Sequence, residues 1–354
     1  MQIKKLTAKN FRCFQSLTLD FEAPTILLTG QNGSGKTSII EALHYLCYLR
    51  SFRTSAPKEL IGLTHESFFL KVEFNDREPV QVGFSSRKRN VRIGDKTIRS
   101  HKELIEHFCI ITLTEDNLQF ISEGPEIRRA LIDHQVLLHE PHLIKLYSDY
   151  KKTLDNRNFL LKSGRVSVDN YHLWTDKLLE LGIQIQKHRR NQLKALEEEI
   201  INLITNFFDN KLEISFSYQE SKALPANAID FENTYPDLKA KEMYLARSLI
   251  GPHLDDFTIH FNGKNAKTFA SRGQKKLITL LVKAAQAQYF SKKNRGVIFL
   301  LDDFLTDFDE IRIKLAVKML NALNCQLVFS CPLENKAIQD LLVDSNGQSI
   351  IINN

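Results

Sequence analysis

The chain has 354 residues, 43% hydrophobic and 25% charged, with only 14 Gly and 9 Pro; this length and balance exclude wholesale disorder and leave room for two lobes. A formal charge of +6 favours an anionic partner if the basic residues gather on one surface. The opening MQIKKLTAKNF carries no secretory apolar stretch, and no later run approaches the eighteen or so apolar residues of a membrane helix. The chain therefore reads as cytoplasmic, with no membrane partner. Its cysteines, Cys13, Cys47, Cys109, Cys325 and Cys331, are scattered outside any CxxC or Cys/His spacing, which argues against a disulfide framework and a zinc site.

Residues 3–21 alternate polar and apolar around Asn10-Phe11-Arg12, the pattern of a β-hairpin. Residues 25–29, TILLT, read as a buried strand that enters a glycine-rich loop, and residues 38–49 then carry helical spacing with Ile39, Leu43, Leu46 and Tyr48 on one face. The loop between them is Gly30-Gln31-Asn32-Gly33-Ser34-Gly35-Lys36-Thr37, which fits GxxxxGK[ST] in the strand–loop–helix context that this motif requires. Its glycines let successive N–H groups face phosphate oxygens. Lys36 supplies charge at the β- and γ-phosphates, and the Thr37 hydroxyl is placed to ligate Mg²⁺ beside the positive end of the helix. ATP and Mg²⁺ are the cofactors this implies.

Between residues 68 and 98 the stretches FFLKVEF, VQVGF and VRIGDKTI predict an antiparallel sheet. Residues 125–208 are helical in pattern, broken at 162–165. Within 171–208, Trp174, Leu178, Leu181 and Ile185, then Leu193, Leu196, Ile200, Leu203 and Phe207, step by three and four; KHRR at 187–190 interrupts the stripe. One helix here would extend roughly 55 Å. It is either an amphipathic helix packed in a helical lobe or a short coiled-coil arm.

Downstream, Ser271-Arg272-Gly273-Gln274-Lys275-Lys276 opens a further helical stretch, with Ser271 placed as an N-cap. Residues 296–301, GVIFLL, form an apolar strand ending in Asp302-Asp303, a Walker B pattern. Asp302 at the strand end can hold Mg²⁺ through water, and Asp303 can orient or deprotonate the attacking water. The segment 271–276 resembles the ABC-type signature, whose serine and glycine, here Ser271 and Gly273, meet the γ-phosphate bound by a second subunit. Asp309 resembles the D-loop aspartate. Together these resemblances imply an ATP-dependent homodimer with each site completed in trans.

The ordered set resembles the RecF family of bacterial recombination and repair ATPases. The likeness runs through Asn10-Phe11-Arg12, the GQNGSGKT loop, Ser51-Phe52-Arg53-Thr54, the block 113–118 (LTEDNL), Gly124-Pro125 with Arg128-Arg129, Tyr150 with Arg157-Asn158, the block 251–256 (GPHLDD), the signature and the Walker B and D-loop blocks. It implies an α/β fold: an ABC/SMC-like P-loop ATPase head with an antiparallel β subdomain, residues 1–124 and 246–354, plus a mostly helical second lobe, 125–245. It further implies binding to DNA with gaps or single/double-strand junctions, weak DNA-stimulated ATP hydrolysis, and help in loading RecA with RecO and RecR. Arg12 and Arg53 fall in matched blocks near the nucleotide, or else pin the hairpin and the loop after the first helix.

The chain departs from the family pattern at Leu254, where an arginine is expected, and at Arg272, where the signature has glutamine. Ser330-Cys331 stand where many ABC ATPases carry a switch histidine. With Asp303 one methylene shorter than glutamate, slow turnover is expected. The basic groups Arg87-Lys88-Arg89 with Arg92, Lys96 and Arg99, and Lys187-His188-Arg189-Arg190, are either phosphate contacts or solvated charged faces. A transport ATPase would be the reading from another class; the absent LSGGQ consensus, the absent switch histidine and the helical middle argue against it. His44, His134, His139 and His253 lack metal-ligand spacing and read as packing or hydrogen-bonding residues, with His253 in the GPH block the most open to another role.

Overall fold

The structure is a computed structural model that describes residues 1–85, 88–99, 101–164, 167–208, 212–293, 296–305, 308–332 and 347–352. The chain divides into two compact units. The first comprises Met1–Leu118, Glu199–Leu212 and Ser271–Asn354, and the second Gln119–Glu198 and Glu213–Ala270.

The first unit starts with β1 (Ile3–Phe11) and β2 (Phe14–Asp20), the expected hairpin, followed by β3 (Thr25–Gly30). Next come β4 (Ser67–Phe74), β5 (Val80–Ser85), β6 (Lys88–Ile93) and β7 (Lys96–Thr97), then β8 (Cys109–Leu113). In the second unit lie β9 (Ile214–Gln219), β10 (Asp256–Phe261) and β11 (Lys264–Asn265). β12 (Val297–Asp302), β13 (Gln326–Pro332) and β14 (Gln348–Ile351) return to the first unit.

Two sheets build the first unit. Strands in the order β2-β1-β4-β5-β6-β7 form the antiparallel sheet, and β4 buries every second side chain, as its alternating sequence requires. A second sheet, β14-β3-β13-β12-β8, is parallel throughout. Its strands β3 and β8 are buried at every residue, which is why they read as continuous apolar runs and not as alternation. The helix Lys36–Tyr48 leaves the end of β3 and is buried along most of its length. It begins two residues before the expected start because Gly35 turns the chain in a left-handed conformation, φ 100°. The helix Arg272–Lys292 is buried continuously from Lys276 to Ala287.

In the second unit the helices Pro125–His139, Ile144–Ser163 and Val168–Phe207 follow one another. Its apolar core gathers Tyr150, Leu161, Tyr171, Leu178, Leu179, Ile185, Phe231 and Ile250. The helix Val168–Phe207 has 40 residues. Up to Glu198 it belongs to this unit, and from Glu199 to the first, and the stripe Leu178, Leu181, Ile185, Leu193, Leu196, Ile200 and Leu203 is buried along it. The KHRR segment does not break its stripe. Arg189 takes a place on the buried face, pairing through Nε and Nη2 with the Asp133 carboxylate at 2.7 and 2.9 Å and donating to the Pro252 carbonyl at 2.6 Å.

Residues 246–270, read from the sequence as part of the head, group with the second unit. The physical reason is strand pairing: β10 runs antiparallel to β9 from Asp256↔Gln219 to Phe261↔Ile214. Two matched blocks meet here. Arg128 forks the Asp256 carboxylate at 2.7 and 2.8 Å, and Arg129 donates to the Asp255 carbonyl at 2.7 Å. Asp255 accepts from Gln186, Tyr218 and the Ser221 N–H. The acids of the 251–256 block thus hold the unit together.

Candidate nucleotide site

The loop 30–37 has the backbone of a phosphate cradle. Gly33 and Gly35 sit at φ 84° and 100°, where a side chain is strained. A Cβ on Gly35 would lie 2.4 Å from the Phe14 ring, and one on Gly30 2.5 Å from the Ile352 carbonyl. The helix that follows has no side-chain cap, so its first N–H groups have no acceptor from a cap residue. By contrast Ser271 and Gln274 form a full capping box on the helix Arg272–Lys292. The Ser34 hydroxyl is buried and makes no hydrogen bond to a described residue, and Lys36 Nζ turns back to the carbonyls of Gly30 and Gln31 at 2.8 and 2.9 Å. Uncapped donors, an orphaned hydroxyl and a folded-back ammonium all suit an anion that supplies acceptors.

The parallel sheet brings the second motif to this loop. β12 lies between β13 and β8, in a register that sets Asp302 opposite Ser330. Asp302 Oδ1 accepts from Thr37 Oγ1 at 3.0 Å and from Ser330 Oγ at 2.8 Å. Burial pushes the Asp302 carboxyl above its ordinary value, against these two hydroxyls, which favour the ionised form. The next residue, Asp303, is left-handed at φ 49°, and its N–H donates to Ser330 Oγ at 2.9 Å. One serine therefore fixes both acids. A cavity of about 570 Å³ opens here, lined among others by Arg12, Lys36, Thr37, Arg53, Asp303 and Ser330. Thr37 and Asp302 offer adjacent hard oxygens, the donor set that Mg²⁺ takes.

Arg12 lines the cavity, yet its guanidinium is committed: Nε and Nη2 fork the Glu41 carboxylate at 2.7 and 2.6 Å, and Nη1 donates to the Glu59 carbonyl at 3.0 Å. Fully buried Glu41 also accepts from Ser51 Oγ and lies 3.9 Å from Arg53. The sequence reading passed over Glu41 because it lies off the Ile39-Leu43-Leu46 stripe, where periodicity predicts solvent, whereas this helix is buried on that face too. Ser330 stands at the expected switch-histidine position, and the register of β13 against β12 sets it opposite Asp302. A third residue missed was Glu115, in the 113–118 block, which forms an ion pair with the buried Lys276.

Ser271 and Gly273 do not line the phosphate cavity of their own chain. The nearest atom to a Cβ on Gly273 would be Arg312 Nη1 at 3.5 Å, so packing does not require a glycine there. Arg272 lies 3.8 Å from Glu115. Asp309 caps the helix Glu310–Asn321 through the Arg312 N–H at 2.9 Å, while Thr306 and Asp307 of the same block lie outside the described residues. His253 accepts from or donates to Tyr150 Oη at 2.7 Å through Nδ1, and burial holds its pKa below the ordinary value. Leu254 is partly exposed. Of the basic groups, Arg189 is internal and Arg190 pairs with Glu220. Lys96 pairs with Glu103 at 2.7 Å, Arg89 and Arg99 are exposed, and Arg87 lies outside the described residues.

A parallel sheet with a glycine-rich phosphate loop after one strand and paired acids after another, joined to an antiparallel sheet, defines a P-loop ATPase head of the ABC/SMC type. The family model described as AAA domain matches residues 5–243. The chain is also similar to the Smc head domain of Pyrococcus furiosus, solved with an extended coiled coil and the C-terminal domain of ScpA. That match has a TM-score of 0.57, 14% identity and coverage of 96% of this chain and 91% of the other. Curated relatives carry the assignment further. The DNA replication and repair protein RecF of Leptospira interrogans is 31% identical over 321 residues, 87% of this chain and 86% of its own. That of Clostridioides difficile is 27% identical over 100% of this chain and 99% of its own. The chain belongs to the RecF family. A solved structure of the recombination mediator protein RecF with ATP, of the RecFOR pathway, superposes with a TM-score of 0.81 at 24% identity, covering 94% of this chain and 92% of that one.

Proposed function

We propose that this chain binds ATP and Mg²⁺ at residues 30–37, dimerises on ATP and hydrolyses it slowly. In this reading the dimer engages DNA with gaps or single/double-strand junctions and, in the cytoplasm, helps load RecA with RecO and RecR. The observation that carries the nucleotide site is the 3.0 Å hydrogen bond from Thr37 to Asp302 across 265 residues of sequence, which joins the two halves of a phosphate and metal site. The family's curated name, DNA replication and repair protein, supports the DNA partner.

Each residue has a defined task. Lys36 exchanges the carbonyls of Gly30 and Gln31 for phosphate oxygens, and the Gly33–Thr37 N–H groups face the same charge. Bound Mg²⁺ neutralises charge on the phosphates. Thr37 and Asp302 hold its coordination shell, and Asp303 orients the attacking water and accepts its proton, steadied by Ser330. Phosphoryl transfer rests mainly on positioning, and the short Asp303 side chain leaves the base one methylene back. The absence of Ser271 from its own chain's cavity supports its delivery to a second copy.

The test compares wild type with Lys36→Ala and Asp303→Asn in ATP binding and turnover. Lys36→Ala should lose binding, while Asp303→Asn should bind ATP and lose turnover. Turnover by Asp303→Asn at the wild-type rate would refute the base, and undiminished ATP affinity in Lys36→Ala would refute the site.

A further inference from the structure

A second cavity in the first unit, about 770 Å³, is lined by Tyr45, Tyr48, Phe52, Arg50, Arg53 and Arg89 together with uncharged residues between 49 and 60, and among the described residues no Asp or Glu contributes to it. Its volume is within the range of sites that hold a nucleotide-sized group. Arg50 and Arg89 are exposed, with no carboxylate partner among the described residues. The Arg89 guanidinium stands 5.6 Å from the centroid of the Tyr45 ring. Tyr45 is 1% exposed and lies beneath this guanidinium.

The walls are preformed. Ser51 Oγ accepts the N–H groups of Arg53 and Thr54 at 2.8 and 3.1 Å and donates to the buried Glu41. Phe52 is held edge-on to His44, centroids 5.3 Å apart, and His44 is fixed by Thr112 at 2.8 Å. Aromatic rings and arginine planes beside uncompensated positive charge match two parts of one ligand: a base that stacks and a phosphate that pairs. An acidic peptide would satisfy the arginines but leave the aromatic walls without a planar partner.

We infer that this cavity receives an unstacked nucleotide of a DNA single strand, the base against Phe52 and the Tyr45–Arg89 pair and the flanking phosphates on Arg50 and Arg89. The inference rests on the DNA-binding reading above and gives it a location. Arg53 lines both this cavity and the phosphate cavity and lies 3.9 Å from the Glu41 carboxylate that holds Arg12. Filling one cavity therefore acts on a residue of the other.

The test measures binding of a 2-aminopurine-labelled single-stranded oligonucleotide, a gapped duplex and dTMP to the full chain. Wild type is compared with Arg50→Ala/Arg89→Ala, Phe52→Ala and, as a packing control, Phe52→Leu. The double arginine variant should bind the oligonucleotide at least tenfold more weakly, with a salt slope shallower by about 1.4 for two phosphates lost on a single strand. Phe52→Ala should weaken it about tenfold and remove the 2-aminopurine quench. ATP affinity should be unchanged in all three variants. Unaltered oligonucleotide binding in both variants, with wild type still binding gapped DNA, overturns the cavity and spares the DNA reading. No DNA binding by wild type overturns both. Loss of dTMP binding alone assigns a free-nucleotide site, displacement of the oligonucleotide by ATP assigns one shared site, and an acidic peptide that competes better than the oligonucleotide assigns a peptide site; each overturns the inference.

Discussion

Removing the carboxylate of Glu242 is the most demanding stability test of the second unit. Arg157 and Glu242 are both 0% exposed. Arg157 Nη1 and Nη2 donate to the two Glu242 oxygens at 3.0 and 2.6 Å, Nη1 also to Ser248 Oγ at 2.8 Å, and Nε to Thr175 Oγ1 at 3.1 Å. Glu242 further accepts from Tyr171 Oη at 2.8 Å and from the Leu249 N–H at 2.7 Å. Glu242→Ala leaves a buried guanidinium without its counter-charge, which costs about 3–5 kcal/mol. A unit of typical stability holds about 5–15 kcal/mol, so one substitution removes roughly a fifth of it or more. With a urea m-value of about 2 kcal/mol/M the midpoint falls by roughly 2 M. The readout is built in: Trp174, the one tryptophan of the chain, sits on the helix Val168–Phe207 within the second unit. Its fluorescence in urea should show the shift. The double variant Arg157→Met/Glu242→Leu should recover most of the loss, because two apolar groups need no counter-charge. A midpoint unchanged in Glu242→Ala, or a double variant no better than the single one, would refute the reasoning.

Three further outcomes follow from the geometry. Ser330→Ala removes the hydroxyl shared by Asp302 and the Asp303 N–H and should slow ATP turnover about tenfold or more in a steady-state assay, for ~1–2 kcal/mol of lost positioning, with ATP affinity changed less. Gly35→Ala forces a Cβ onto Phe14 at a φ of 100° and should weaken ATP binding about tenfold to hundredfold, read by equilibrium titration, with the circular dichroism of a folded protein. His253 has a folded-state pKa below 6.5, burial being the largest cause, with Arg129 and Arg157 adding to it and Asp255 opposing. Its contribution is therefore present above the unfolded value and is lost as pH falls through the folded one. The urea midpoint of Trp174 should drop between pH 7.5 and pH 5.5, and His253→Gln, which keeps one donor and one acceptor, should make that drop smaller.

Local pattern carried much of this architecture. The hairpin, β3, the glycine loop and β12 were legible because alternation, apolar runs and glycine spacing are properties of neighbouring residues. Pairing across long sequence separations was not. The grouping of 246–270 with the second unit depends on β10 finding β9, and the meeting of Arg128 with Asp256 on a separation of 128 residues. Ser330 looked like a substitute for a missing histidine and proved to be the clamp on the Walker B acids, a role written only in sheet register. Charge misled where it was buried: Arg189 sat in a basic run that resembles a phosphate-binding face, yet Asp133 holds it inside. Arg12 lines the phosphate cavity as expected, yet its guanidinium is held by Glu41, an acid that helical periodicity places on the solvent side and that the fold buries.

The proposal that half of the nucleotide site comes from a second copy is tested most directly by sedimentation of the full chain with Mg²⁺ and either ATP or ADP. Wild type should be a dimer in ATP and a monomer in ADP, and Ser271→Arg should bind ATP with unchanged affinity yet stay a monomer in both. Wild type that remains a monomer at saturating ATP, or Ser271→Arg that dimerises as readily as wild type, would contradict the account.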